Sequence, residues 1–249
     1  MVHLKTEQEI SKIRKASQIV ARTLQILGEH VQEGITTKDL DRIAESEIRK
    51  EGGLPAFKGY RGFPATLCVS VNEEIIHGIP SGKKLKKGDI VGLDLGAIWQ
   101  GFYGDAAWTF AVGEISEEAR QLTKVTEESL WIGIKEARAG NRVGDIGYAV
   151  QQHVEAHGYS VVREFVGHGI GRSLHEDPQV PNYGKQGHGH RLKPGLVLAI
   201  EPMVCMGSNE VRMLEDNWTA VTKDGSLSAH FEHSIAITDN GPVILSTLD

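Results

Sequence analysis

Residues 85–94, Leu-Lys-Lys-Gly-Asp-Ile-Val-Gly-Leu-Asp, and residues 192–201, Leu-Lys-Pro-Gly-Leu-Val-Leu-Ala-Ile-Glu, are two versions of one pattern. In each, Leu-Lys-x-Gly precedes an apolar run of strand type, Ile90 to Leu93 or Leu196 to Ile200, that reaches an acidic residue, Asp94 or Glu201. The offset is 107 positions. Upstream of each copy lies a pair of helical segments. Thr6-Glu7-Gln8-Glu9 has the form of a capping box, and Ile10, Ile13, Ile19, Val20, Leu24 and Leu27 follow at helical spacing. A second helix is predicted from Thr37 to Lys50, with Leu40, Ile43, Ala44 and Ile48 buried and a stop at Gly52-Gly53. Ser116 caps a third through Arg138, ended by Gly140, and a fourth runs from about Asp145 to Ala156, ended by Gly158. A shift of 106 positions carries Gly34, Asp39, Leu40, Ala44, Ile48 and Gly52 onto Gly140, Asp145, Ile146, Val150, Val154 and Gly158. It also carries Ile13, Ile19 and Leu24 onto Ala119, Val125 and Leu130. Any two amphipathic helices align on their apolar stripes; the near-equal offset of the strands is what argues for an internal repeat. The reading is an α+β fold of two similar αα-plus-strand halves, about 1–112 and 113–249, meeting face to face in one catalytic domain over 1–249, with a site where they meet.

The chain has 249 residues, 27 Lys plus Arg against 33 Asp plus Glu, and a net charge of −6. That balance, without a long basic run, argues against nucleic acid or acidic lipid as principal partner. No apolar stretch approaches the roughly 18 residues of a membrane span, and residues 1–5 lack the apolar run of a signal peptide. Two cysteines, Cys68 and Cys205, build no disulfide framework and suit a reducing compartment. The expectation is a cytoplasmic globular protein.

An acidic residue at the end of a buried strand needs a partner. After Asp94, residues 96–104 read as a turn, with a second strand running to Phe110. A hairpin turning on Trp99-Gln100 would set Asp94 opposite Asp105, two like charges that persist side by side only with a proton or cation between them. In Gly167-His168-Gly169-Ile170-Gly171 the flanking glycines strip cover from His168 and would let a ligand approach the backbone. His175 follows in Ser173-Leu174-His175-Glu176-Asp177-Pro178. Pro202 interrupts the strand that ends at Glu201. Asp224-Gly225 reads as a hairpin turn into a strand carrying Phe231-Glu232-His233, on which Glu232 and His230 share one face. Asp94, Asp105, Glu201 and Glu232 with His168 make four carboxylates and one imidazole. Such a set prefers hard or borderline divalent ions and lacks the thiolates of a structural zinc site. Five donors exceed what one tetrahedral ion needs and suit a carboxylate-bridged pair, a hydrolytic arrangement.

These residues, in this order, closely resemble the type I methionine aminopeptidases. Residues 165–171, then His175, then Val180-Pro181-Asn182-Tyr183, fit that family's signature, and Asp94, Asp105, His168, Glu201 and Glu232 match its five metal ligands across essentially the whole chain. The resemblance implies the pseudo-two-fold "pita-bread" fold of the creatinase and aminopeptidase group. It implies two divalent ions (Co, Mn, Fe or Zn), with Asp94 serving one, Asp105 and Glu232 bridging both, and His168 and Glu201 completing the other site. It implies removal of the N-terminal methionine from peptides and nascent proteins, with a small second residue preferred, by attack of a metal-bridging hydroxide on the first peptide carbonyl. Glu201 would handle protons, His77 would contact the substrate near the scissile amide, and His175 would stabilise the tetrahedral intermediate. Phe57, Tyr60, Phe63, Cys68, Leu174 and Trp218 occupy the positions of the family's methionine pocket. Phe63 lacks a hydroxyl where tyrosine is familiar, and Leu174 stands where an aromatic residue is frequent; both keep the apolar character. The implied protein is a monomer, without nucleic acid as substrate or a membrane as partner, and the ribosome is a further partner to consider.

Two other readings compete. A prolidase or proline-specific aminopeptidase uses the same catalytic fold, and those relatives generally carry a further N-terminal domain for which there is no room before Asp94. A catalytically dead binding protein of this fold usually loses metal ligands, whereas all five positions are intact here.

Overall fold

The computed structural model describes residues 2–248. Thr6 and Glu9 cap each other's backbone, and from that box α1 runs over Glu7–His30. Thr36 caps α2, Thr37–Lys50. The strands β1 (Leu54–Pro55), β2 (Leu67–Val71), β3 (Glu74–Ile76), β4 (Ile90–Trp99) and β5 (Phe102–Ala111) complete the first half. The second half opens with α3 (Glu117–Glu136), capped by Ser116, and α4 (Val143–Ala156). It continues with β6 (Ser160–Val161), β7 (Gly167–Gly169), β8 (Glu176–Val180), β9 (Val197–Ile200), β10 (Met203–Cys205), β11 (Val211–Met213), β12 (Ala220–Thr222), β13 (Ser228–His230), β14 (Glu232–Thr238) and β15 (Gly241–Ile244).

The central sheet is antiparallel, in the order β1-β4-β5-β14-β9-β7-β8, with β2 also on β4 and β15 on β14. The two halves join edge to edge, because β5 pairs with β14 through Ala107↔Glu232 and Ala106↔His233. Helices cover one face. α1 lays Ile13, Ala16, Val20, Leu24 and Leu27 across β4 and β5, and α3 and α4 bury Leu122, Leu130, Ile146, Val150 and Val154 against the other half. The opposite face carries the acidic residues.

The repeat is visible atom by atom. α2 and α4 have the same length, and their first residues, Thr37 and Val143, are 106 positions apart. Gly34 N–H donates to Leu85 O at 2.8 Å and Gly140 N–H donates to Leu192 O at 3.0 Å. The isolated bridges Thr36↔Lys84 and Arg142↔Arg191 recur in the same places. Gly34 and Gly140 both hold φ near +90°, at +88° and +98°, a conformation open to glycine and strained for side chains.

Three local expectations are corrected. Asp94 does not close its strand: β4 continues to Trp99, and the turn is the two residues Gln100 and Gly101, both at positive φ as a tight hairpin turn requires. Register therefore pairs Asp94 with Ala107 and Gly96 with Asp105, so the two aspartates are diagonal neighbours and not opposite ones. Gly96 and Gly104 suggested a longer turn, but they are glycines for packing: a Cβ on Gly96 would lie 2.8 Å from Phe57 Cε1, and one on Gly104 would lie 2.3 Å from Ser17 N. Similarly, Gly167 and Gly169 make room for protein backbone, since a Cβ there would lie 2.4 Å from Ala199 O or 2.3 Å from Asp177 O. Asp224-Gly225 does turn the chain, yet β12 pairs with β3 and β11 while β13 pairs with β10, so the flanking strands form no hairpin.

Gly104 tests the seating of α1 on the sheet. Gly104→Ala pushes a methyl into helix backbone and is expected to cost about 1–3 kcal/mol in urea denaturation. Gly82→Ala, with open space around it, is expected to stay within about 0.5 kcal/mol. Equal stability of the two variants would contradict that seating.

Candidate metal centre

The five matched donors sit one to a strand or at its edge on five consecutive neighbours of the central sheet: Asp94 on β4, Asp105 on β5, Glu232 on β14, Glu201 just past β9, and His168 on β7. Register arranges them in two rows. One row runs Cys68–Asp94–Ala107–Glu232, and continuing His233↔Ile200 by one residue brings Glu201 to its end. The next runs Gly96–Asp105, then Ser234, Ala199 and His168. Ser234 Oγ donates to Asp105 O at 2.7 Å, which ties the second row across the join between the halves. Where a row separates two donors, the residues between are Ala107, Ser234 and Ala199, so the floor of the site is small side chains.

Asp105, His168 and Glu232 each offer a ligand atom within 4.8 Å of the others. His168 Nε2 is 3.5 Å from Glu201 Oε1 and 3.8 Å from Asp105 Oδ2. Its Nδ1 donates to Gly169 O at 2.9 Å, which leaves the Nε2 lone pair facing the carboxylates. Asn182 Nδ2 donates to the Glu201 main-chain carbonyl at 2.9 Å. Asp94 Oδ1, Asp105 Oδ1 and Glu232 Oε1 are buried with no hydrogen-bond partner. Orphaned carboxylate oxygens in a protein interior are costly, and cations between them remove the cost. The donor set thus fits a pair of divalent ions.

Burial is the first cause of every large pKa shift here. It raises Asp94 to about 7 and Glu232, Glu201 and Asp105 well above the carboxylate range, the last three also through neighbouring negative charge. Burial lowers His77 and His168 to about 4 and His175 to about 3, so these rings are neutral near pH 7.

The remaining predicted residues gather around this centre. The His175 ring lies 4.3 Å from that of His168, and its Nδ1 is 2.8 Å from the Tyr60 hydroxyl. His77, at φ +60°, stands edge-on to Phe165 and Trp218, at 5.5 and 6.2 Å between ring centres. Phe57, Phe63, Cys68 and Leu174 are buried in one apolar cluster against which the half-buried Tyr60 and Trp218 pack. Phe63 meets Trp218 edge to face at 5.1 Å. Burial, then the charges of Asp94 and Asp105, push the Cys68 thiol well up, so it stays neutral beside the carboxylates. A cavity of about 720 Å³ opens alongside, with Arg61, Phe102, His168 and His175 in its wall.

Two neighbours escaped the sequence reading. Phe165 is in the motif but was not assigned to the pocket. His230, noted only for sharing a face with Glu232, sits 4% exposed with Nε2 at 3.7 Å from Glu201 Oε2. The period-two spacing to Glu232 was the available signal.

A family model described as metallopeptidase family M24 matches residues 11–239. A methionine aminopeptidase of Clostridium perfringens is 57% identical over 248 residues, covering 100% of both chains. The crystal structure of a methionine aminopeptidase from Thermotoga maritima superposes with a TM-score of 0.98 at 48% identity, again over 100% of both chains. A prolidase from Pyrococcus furiosus shares the fold at a TM-score of 0.80 and 23% identity, this chain spanning 66% of its length.

The shifts predict how stability responds to pH once metal is removed. Above about pH 7 the histidines of the unfolded chain have lost their protons, so they no longer distinguish the two states. The raised carboxylates still hold protons in the folded state that the unfolded chain has released, so stability declines as pH climbs toward their folded values and levels off above them. Asp94, raised to about 7, has given up its share by about that pH, and Asp105, Glu201 and Glu232, raised well above the carboxylate range, carry the decline beyond it. The melting temperature of chelated protein is expected to fall as pH rises above about 7, and the increment from an added divalent ion to grow over the same interval. A chelated protein whose melting temperature holds or rises there contradicts this account.

Proposed function

The chain belongs to metallopeptidase family M24, and from that membership and its whole-length likeness to methionine aminopeptidases we propose that it removes the N-terminal methionine from peptides and newly made proteins in a metal-dependent hydrolysis. The observation that carries this is the convergence of carboxylate and imidazole donors from neighbouring strands, with orphaned oxygens, beside an aromatic apolar cluster.

Asp94, Asp105, His168, Glu201 and Glu232 would hold the ions. When bound, a pair of divalent ions supplies Lewis acidity to the scissile carbonyl and a water of lowered pKa. Phe57, Phe63, Cys68, Leu174, Tyr60 and Trp218 receive the methionine side chain; the neutral Cys68 thiol keeps the wall next to Asp94 apolar. Neutral His175 donates from Nε2 to the carbonyl oxygen as negative charge develops. For the proton to be on Nε2, Nδ1 must accept, so the Tyr60 hydroxyl donates to it. Glu201 takes a proton from the attacking water and delivers it to the departing amine. His77 steadies the substrate near the scissile amide. A small second residue is preferred. The chain acts as one catalytic unit over 1–249, monomeric and cytoplasmic, with Co, Mn, Fe or Zn as the candidate ions.

Chelated protein is expected to be inactive on Met-Gly-Met and to recover methionine release as a divalent ion is titrated in; silence with every ion would sink the reading. Glu201→Ala and Asp105→Ala are each expected to lower turnover by more than about 100-fold, beyond what loss of a supporting contact costs, with circular dichroism unchanged. Turnover of Xaa-Pro dipeptides in preference to methionyl peptides would instead identify a prolidase.

A further inference from the structure

His230 is the one imidazole at the centre to which the proposed chemistry gives no task. It is 4% exposed, and its Nε2 is buried without a hydrogen-bond partner. The backbone is clamped: Thr109 Oγ1 donates to His230 O at 2.7 Å, and His230 N donates to Thr109 Oγ1 at 3.0 Å. The β13–β10 ladder pairs His230 with Met203, directly after the Glu201-Pro202 segment. The ring therefore has a fixed origin, and its free nitrogen faces Glu201 Oε2 at 3.7 Å while His168 Nε2 faces Oε1 of the same carboxylate at 3.5 Å. Glu201 is bracketed by two histidines, one on each oxygen. They differ in kind: His168 commits Nδ1–H to the Gly169 carbonyl and brings a lone pair, whereas among the described residues no hydrogen bond to Nδ1 ties up His230 in that way.

We propose that His230 is a positioning residue that donates its Nε2–H to Glu201 Oε2, so that Oε1 is the oxygen left for metal beside His168 and Oε2 keeps a fixed orientation for proton transfer. Separations in an unliganded site are often long and tighten when the site is filled. A carboxylate that binds metal through one oxygen and accepts a hydrogen bond on the other is held against rotation, and loss of such partners characteristically costs 10–100-fold in affinity or activity. The inference rests on the hydrolytic reading of the site and assigns a task to a residue outside the matched ligand set.

The experiment has an arm that does not depend on turnover. In ¹⁵N-histidine-labelled, metal-loaded protein, nitrogen chemical shifts report which His230 nitrogen carries the proton, with His230→Gln assigning the signal. The Nε2–H tautomer is expected; Nδ1–H overturns the proposal even where the enzyme turns over normally. His230→Gln sets an amide N–H at the same reach, while His230→Leu removes the donor at similar volume. The Leu variant is expected to lose about tenfold or more in kcat with KM unchanged, and to shift the visible absorption of the Co²⁺-loaded centre. The Gln variant is expected to retain both the wild-type spectrum and most of kcat. Wild-type kcat in the Leu variant, a loss confined to KM, or a Gln variant no better than Leu would each refute the assignment. Should Leu fail to fold, the tautomer and the Gln spectrum decide.

Discussion

Four carboxylates on one face of one sheet, two buried and two half-buried, with three of their oxygens lacking any partner, form the constraint to which the rest of the fold answers. Left to itself the cluster resists folding, since each group loses hydration and three feel their neighbours' charge as well. Divalent ions reverse the sign of that interaction, but only if the scaffold keeps the donors from separating. A continuous antiparallel sheet does so. Each donor is carried by a different strand or strand end, so none can withdraw without breaking a ladder. Helices α1 to α4 brace the opposite face and leave the acidic face open to substrate.

The internal repeat explains how such a cluster is assembled. Each half contributes a helical pair, a Leu-Lys-x-Gly turn and a strand that reaches an acidic residue, and the halves meet along β5 and β14. The candidate ligands are divided between the halves: Asp94 and Asp105 come from the first, and His168, Glu201 and Glu232 from the second. The site therefore exists only in the joined sheet. Alanine, serine and glycine between donors are as necessary as the donors, because a large side chain at Ala107 or Ala199 would occupy the space where cations fit.

What was legible from the chain follows from how local the cause is. The helices are specified by neighbouring caps and stripes, and α2 spans Thr37–Lys50 as its cap and glycine stop imply. The repeat was legible because turn glycines recur at a fixed offset. The hairpin register was not, since Gly96 and Gly104 look like turn residues and owe their identity instead to Phe57 and the α1 backbone, contacts far away in sequence. His168 was found for a partly mistaken reason: its flanking glycines accommodate neighbouring strands. His230 was missed because a histidine next to a known ligand carries no separate signal until the strands from β10 and β14 are seen together.

Around the candidate ligands, burial removes positive charge from the imidazoles, and that is what permits several of them close to one another. A neutral ring offers one donor and one acceptor, so its role is set by whichever nitrogen a neighbour has claimed. The Gly169 carbonyl claims Nδ1–H of His168 and turns its lone pair to the acids. In the proposed reaction the Tyr60 hydroxyl donates to Nδ1 of His175, and the far nitrogen is the one offered to the substrate. On that proposal similar rings within a few ångströms of one another take opposite roles, acceptor toward metal and donor toward oxygen, without any difference in charge. Division of labour at this centre is accordingly a matter of tautomers fixed by single hydrogen bonds. The sheet supplies position, and those bonds supply chemistry.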